Sequence, residues 1–170
     1  MIEKIISGGQ TGADQAGLYV AKQFGITTGG WAPKEFMTRV GPNLALLRDE
    51  FGLQEHDGGY RERTIQNIKD SDGTIILSFN WNSRGTALTL NQCIKLEKPF
   101  KKVYLDAQII DYTDICDWIS TEGIHTLNVA GNSESNPPKI FDAVVFQLNT
   151  ILNLYSITHN EPSTDTVKRI

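Results

Sequence analysis

The chain has 170 residues, a formal net charge of -4, and 39 % apolar and 21 % charged residues. These values suit one folded domain with a core of ordinary size, and an acidic balance without a run of Lys and Arg argues against a nucleic-acid partner. No apolar run approaches the length of a bilayer span, and Met1-Ile2-Glu3-Lys4 lacks the basic and apolar regions of a secretory leader, so a soluble cytoplasmic protein is expected.

Ile2, Ile5 and Ile6 mark a short strand that ends at Ser7, and Gly8, Gly9, Gln10, Thr11 and Gly12 follow as a glycine-rich turn. Ala13, Ala16, Val20, Ala21 and Phe24 then recur at three- and four-residue steps on one helix face, with Gly25 as its stop. Residues 26–31 read as a second strand, and residues 32–57 carry one helix over 43–51 among Pro33, Pro42 and many turn residues. A polar helix is expected over 60–71, with Tyr60, Thr64, Asn67 and Ser71 on one stripe and Ile65 and Ile68 on the buried edge beside it. The continuous apolar run 73–79 predicts a central strand covered on both faces.

A turn over 80–84 leads to a helix over 85–96, a strand over 102–105, a helix over 112–121 and a last strand over 125–130. Pro137 and Pro138 suit the first turn of a closing helix with Ile140, Val144, Leu148, Ile151 and Tyr155 on one face. Cys93 and Cys116 lack short-spaced partners and read as small buried hydrophobes, not as a zinc site or redox pair, and no metal site is expected. Residues 156–170 are polar and unpatterned and read as a C-terminal tail.

The alternation predicts an α/β domain over 1–155, Rossmann-like, a three-layer α/β/α arrangement with a mainly parallel sheet. Ligands bind such sheets beyond the carboxyl ends of the strands, and three of those ends, 7–14, 80–89 and 128–135, are rich in Gly, Ser, Thr and Asn. The first suits an anion at a helix N-terminus, with Gln10 and Thr11 as added donors, yet it has neither the spacing of a dinucleotide fingerprint nor the lysine of a P-loop. The second offers Ser83, Gly85 and Thr86, and the third Asn132 and Ser133. A tight turn alone explains the first, and helix capping explains the others. Their coincidence on one sheet favours a site for a phosphorylated or oxyanionic ligand.

Arg61 and Arg63 are either surface charge or phosphate partners. Asp72 and Glu134 are the candidate catalytic carboxylates, and each equally suits a cap. His56, His125 and His159 have no Ser or Cys partner at a recognisable spacing. Trp31 and Trp81 lie near strand ends, where either core packing or stacking on a planar ring would use them.

Four segments in order, SGGQTGADQAGL, RTIQNIKDSDGTIIL, RGTALT and LNVAGNSESNPPKI, resemble the molybdenum carrier family, the circularly permuted YpsA-type branch of the SLOG superfamily. That superfamily also holds the LOG and DprA proteins, and the resemblance runs over residues 2–154. It implies a Rossmann-like fold, a nucleotide- or phosphate-type pocket at the strand ends and a homo-oligomer. In the algal carrier that names the family it implies binding of molybdenum cofactor, which carries a phosphate and an oxyanion-like metal centre. Carried over by position, Gly8, Gly9, Gln10, Thr11 and Gly12 form one anion cradle and Gly85 with Thr86 a second, while Arg63, Thr64, Asn67, Ser71 and Asp72 line the wall.

LOG enzymes cleave the N-glycosidic bond of nucleoside monophosphates with a Glu three residues after the Gly-Thr pair, where this chain has Thr89. A hydroxyl cannot replace that carboxylate. The expectation is therefore a carrier or binding protein for a phosphorylated small molecule, nucleotide-like or molybdenum-cofactor-like. The alternative is a LOG-type hydrolase using Asp72 or Glu134. A small-molecule ligand and copies of the chain are the expected partners, with neither nucleic acid nor membrane among them.

Overall fold

The computed structural model describes residues 1–135 and 139–159. β1 (Lys4–Ile6) passes through the glycine loop into α1 (Ala13–Gln23) and returns as β2 (Thr27–Gly29). Gly30, at φ 119, bends the chain out of the sheet, so the strand expected over 26–31 is two: β3 (Trp31–Ala32) pairs elsewhere. β4 (Met37–Thr38), β5 (Gly41–Pro42), a π-helical segment Ala45–Glu50 inside the helix expected over 43–51, and β6 (Gln54–Glu55) complete this stretch. Then come α2 (Tyr60–Asp70), β7 (Gly73–Ser78), α3 (Arg84–Lys95), β8 (Phe100–Tyr104), α4 (Tyr112–Thr121), β9 (Thr126–Gly131) and α5 (Ile140–His159).

Five strands form the central sheet in the order β2-β1-β9-β7-β8, and every neighbouring pair is parallel. The crossover from β1 leads toward one edge and the crossover from β7 toward the other, so right-handed connections place α1 and α3 on opposite faces. α1, α4 and α5 pack together on one side and α2 with α3 on the other, which is the three-layer α/β/α arrangement expected. All six residues of β7 are buried, as its unbroken apolar run requires. The main core sets Ile5, Ile75, Leu77, Leu127 and Val129 of the sheet against Val20, Ile119, Val144 and Leu148 of the helices. Each such aliphatic side chain contributes about 1.5–3 kcal/mol on full burial.

Residues 31–57 build a cap with its own core: Ala32, Phe36, Leu47, Phe51 and Leu53 close around Leu18 of α1. Asn67 of α2 fastens the cap, because Trp31 N–H donates to Asn67 Oδ1 at 2.9 Å and Asn67 Nδ2 donates back to the Trp31 carbonyl at 3.0 Å. One buried amide thus satisfies both backbone groups of a strand that has left its sheet.

α5 runs to His159, so the expected domain end at Tyr155 falls inside a helix. Pro137, Pro138 and residues 160–170 lie outside the described residues. Against the sequence expectation, Ile140–Thr158 is long and apolar enough to cross a membrane by length and composition. Its apolarity is that of a core helix on one side: Ile140, Val144, Leu148, Ile151, Leu152 and Tyr155 are buried, and the helix packs on α1 and α4. Cys93 and Cys116 are buried free thiols.

Candidate ligand crevice

A cavity of about 1100 Å³ opens beyond the carboxyl ends of β1 and β9, walled by α2 and the start of α3. It lies where the connections from β1 and β7 depart in opposite directions, which leaves a gap above the strands between them. Of the residues expected at a ligand, Gly8, Gln10, Arg63, Thr64, Asn67, Ser83 and Gly85 line it. Asp14, Arg39, Arg61, Arg84 and Thr89 line it as well.

The glycine loop already holds a carboxyl group. Asp14, in the first turn of α1, accepts a hydrogen bond from Gln10 N–H at 3.2 Å, and the Gly8 amide also supports its carboxylate. Arg63 Nη1 lies 3.2 Å from Asp14 Oδ2, in a pair whose side chains are 12 % and 8 % exposed. Burial holds the Asp14 carboxyl above its usual range, outweighing the lowering by Arg63 and by the Gln10 and Gly8 amides. Arg63 Nε is buried with no hydrogen-bond partner among the described residues.

The Arg63 guanidinium lies on the loop, and a Cβ at position 8 would sit 1.5 Å from Nη1, so a side chain there requires the guanidinium, and with it the Asp14 pair, to shift. Gly12 has φ 93, and a Cβ on it would sit 2.6 Å from the Asn132 carbonyl, because the chain beyond β9 pairs with the loop. Ala13 N–H donates to that carbonyl and Glu134 N–H to the Thr11 carbonyl, both at 3.0 Å. Thr11 N–H donates to Gln10 Oε1 at 3.0 Å. The amides of Gln10, Thr11 and Ala13 are therefore committed inside the protein, a packing reason for the glycines that the sequence left open.

Asn132 ties the other two strand ends together. Its Oδ1 accepts from Ser78 Oγ at 3.0 Å and from Phe79 N–H and Asn80 N–H at 2.9 Å each. Its Nδ2 donates to the Asn80 carbonyl, Ser83 Oγ and Thr86 Oγ1 at 2.9–3.0 Å. Thr86, expected at the ligand, is buried in this network and does not line the cavity. The Ser83 hydroxyl is engaged by Thr86 and Asn132, and no side chain among the described residues caps α3, whose first residues, Arg84 and Gly85, line the cavity.

The structure moves three expected residues away from the cavity. Ser71 and Asp72 sit at the amino edge of the sheet, because α2 descends before β7 begins there. Ser71 Oγ donates to the Ile68 carbonyl at 3.1 Å, and Asp72 Oδ2 accepts from His125 N–H and Thr126 N–H at 3.0 and 2.7 Å. Glu134 caps α5, accepting from Ser135, Lys139, Ile140 and Phe141 amides at 2.8–2.9 Å. Burial would raise its carboxyl, but those four donors outweigh it and the pKa is lowered. Gly9, Thr11 and Gly12 belong to the loop without lining the cavity. Trp31 and Trp81 stack on no cavity wall: Trp31 Nε1 donates to Asp70 at 2.7 Å, and the Trp81 ring lies 4.7 Å from Tyr104.

Sequence reasoning missed Asp14, Arg39 and Arg84. An acid in a first helical turn reads as a dipole partner, which hid Asp14, and Arg39 stands in a stretch with no period. The cap delivers Arg39, whose N–H donates to Gln10 Oε1 at 2.7 Å while its Nη1 reaches Ser133 Oγ and the Glu134 carbonyl at 3.2 Å. Arg39, Arg61 and Arg84 are exposed at the rim, and Arg63 lies deeper. Four guanidinium groups face two carboxylates, Asp14 and Glu62, in a chain that is acidic overall.

The model of the circularly permuted YpsA SLOG family matches residues 5–152. Among solved structures, one from Syntrophus aciditrophicus named "Putative molybdenum carrier protein" is 36 % identical, covers 89 % of this chain and 95 % of its own, and superposes with a TM-score of 0.79. A comparison with curated proteins gives no match.

Proposed function

The chain belongs to the circularly permuted YpsA SLOG family, and from that premise we propose that it is a carrier or binding protein for a phosphorylated or oxyanionic small molecule, nucleotide-like or molybdenum-cofactor-like. The observation that carries this reading is the set of four arginines, Arg39, Arg61, Arg63 and Arg84, around one cavity in an acidic chain. Guanidinium groups pair bidentately with phosphate, and a cleft with a surplus of one sign of charge, here four arginines against Asp14 and Glu62, concentrates ligands of the other. The uncapped first turn of α3 adds amide donors on the same side. The family relative named as a molybdenum carrier supports a cargo of this charge.

The test is a thermal-shift series with AMP, ADP-ribose, molybdate, tungstate and phosphate, run beside Arg84→Glu. A ligand at a hundred times its Kd stabilises by about 2.7 kcal/mol, which raises the midpoint of a chain of this size by about 5–10 °C. Such a rise with at least one ligand, reduced in Arg84→Glu, is expected. No rise with any of them, in either protein, refutes the reading.

A second reading, hydrolysis of an N-glycosidic bond, gains one observation: Asp14 is a carboxylate in the cavity with a raised pKa. Thr89 does not supply it, since its hydroxyl donates to the Gly85 carbonyl at 3.1 Å. Release of adenine from AMP, abolished by Asp14→Asn, would establish this chemistry, and an absence of release in the native protein would exclude it for that substrate.

A further inference from the structure

We propose that Asp14 sets the specificity of the crevice: its carboxylate fills the anion position made by the glycine loop and Arg63, so the cavity selects an organic anion held at the rim over a free oxyanion. This rests on the reading of the crevice as an anion site. The Gly8 and Gln10 amides and the Arg63 guanidinium converge on one point, and Asp14 occupies it. These are donors that a phosphate or molybdate would otherwise use. A free oxyanion entering there meets a carboxylate within contact distance, in a place too buried for water to screen the repulsion.

The cationic groups left for a ligand's charge are Arg39 on the cap, Arg61 on α2 and Arg84 on α3, all exposed at the rim, with the α3 amides beside them. A molecule that satisfies both regions carries its phosphate or oxyanion at one end and presents a neutral or hydrogen-bond-donating part to Asp14. A phosphate ester of a polar heterocycle has this form, and a bare tetrahedral oxyanion does not. The charged groups around Asp14 are Arg63 and Glu62 on α2 and the three rim arginines, and Glu62 Oε2 is occupied by the Gly59 amide at 3.0 Å.

The experiment measures sulfate binding by calorimetry to the native protein and to Asp14→Asn at several pH values from about 7.5 downward, where acidification favours the protonated Asp14 carboxyl and sulfate keeps its charge. Circular dichroism checks that the variant is folded. The variant is expected to bind sulfate about tenfold or more tightly than the native protein at the highest pH. The native protein should move toward the variant on acidification while the variant changes less. Equal affinities, or a native affinity indifferent to pH while the variant is equally weak, overturn the assignment.

AMP binding, measured in parallel on the native protein and Arg84→Glu, separates this result from the broader reading. A gain of sulfate binding in Asp14→Asn without native AMP binding keeps the anion position at Asp14 and removes the nucleotide-like ligand. AMP binding lost in Arg84→Glu, with no effect of Asp14→Asn on sulfate, keeps the crevice and removes the role of Asp14.

Discussion

Replacing Arg63 by Met keeps the length and packing of the stem and removes the charge, leaving Asp14 in a pocket where its side chain is 8 % exposed. Taking one partner from a buried ion pair costs about 3–5 kcal/mol, and the lower end applies here because a carboxyl already pushed up by burial escapes part of the cost by taking a proton. About 3 kcal/mol corresponds to a midpoint drop of about 6–12 °C in a chain of this length.

The pH dependence is the sharper signature. Since burial raises the folded-state pKa of Asp14 above its ordinary 3.8, its stability contribution is greatest below that value and is lost as pH rises through the folded pKa. Without Arg63 the folded pKa rises further and the loss continues to higher pH. The deficit of Arg63→Met should therefore grow as pH rises from acid toward the neutral range, read as urea denaturation midpoints at a series of pH values. The double variant with Asp14→Asn should recover more than half of the deficit, because no lone charge remains buried. A deficit below about 1 kcal/mol that does not vary with pH would refute the buried-pair account.

Asn132→Ala removes the amide by which the chain beyond β9 holds six groups at the end of β7 and the start of α3, and should lower stability by about 2–4 kcal/mol in chemical denaturation. Glu134→Gln weakens the cap of α5 by about 1 kcal/mol at neutral pH. Because the native carboxyl is lowered below 4.5, its contribution is full above that pH and is lost as pH falls through the folded value, so the two proteins should converge in acid melts. Gly12→Ala forces a Cβ against backbone in the left-handed region and should cost about 2 kcal/mol or more by urea denaturation.

The local signals were strong. Alternating β-branched runs and helical faces placed the central strands and α1 to α4 within a few residues, because periodicity reports which side of an element is covered. The wall of the crevice was partly legible for the same reason: Tyr60, Thr64 and Asn67 share one stripe of α2 and all three line the cavity. Ser71 continues the stripe, yet it misses the cavity because the helix carries it to the other edge of the sheet.

The sequence by itself determined the α/β alternation, the buried strand β7 and a glycine loop at a strand end, since each depends on neighbours a few residues away. Only the tertiary structure decided why the loop is glycine. Arg63 lies on Gly8 from α2, the chain beyond β9 presses on Gly12, and the cap brings Arg39 to Gln10. It also decided that the Asp14 carboxyl fills the loop against Gln10 and Arg63. These pairings join residues distant in sequence through elements whose approach depends on the order of strands, and no local period encodes that order.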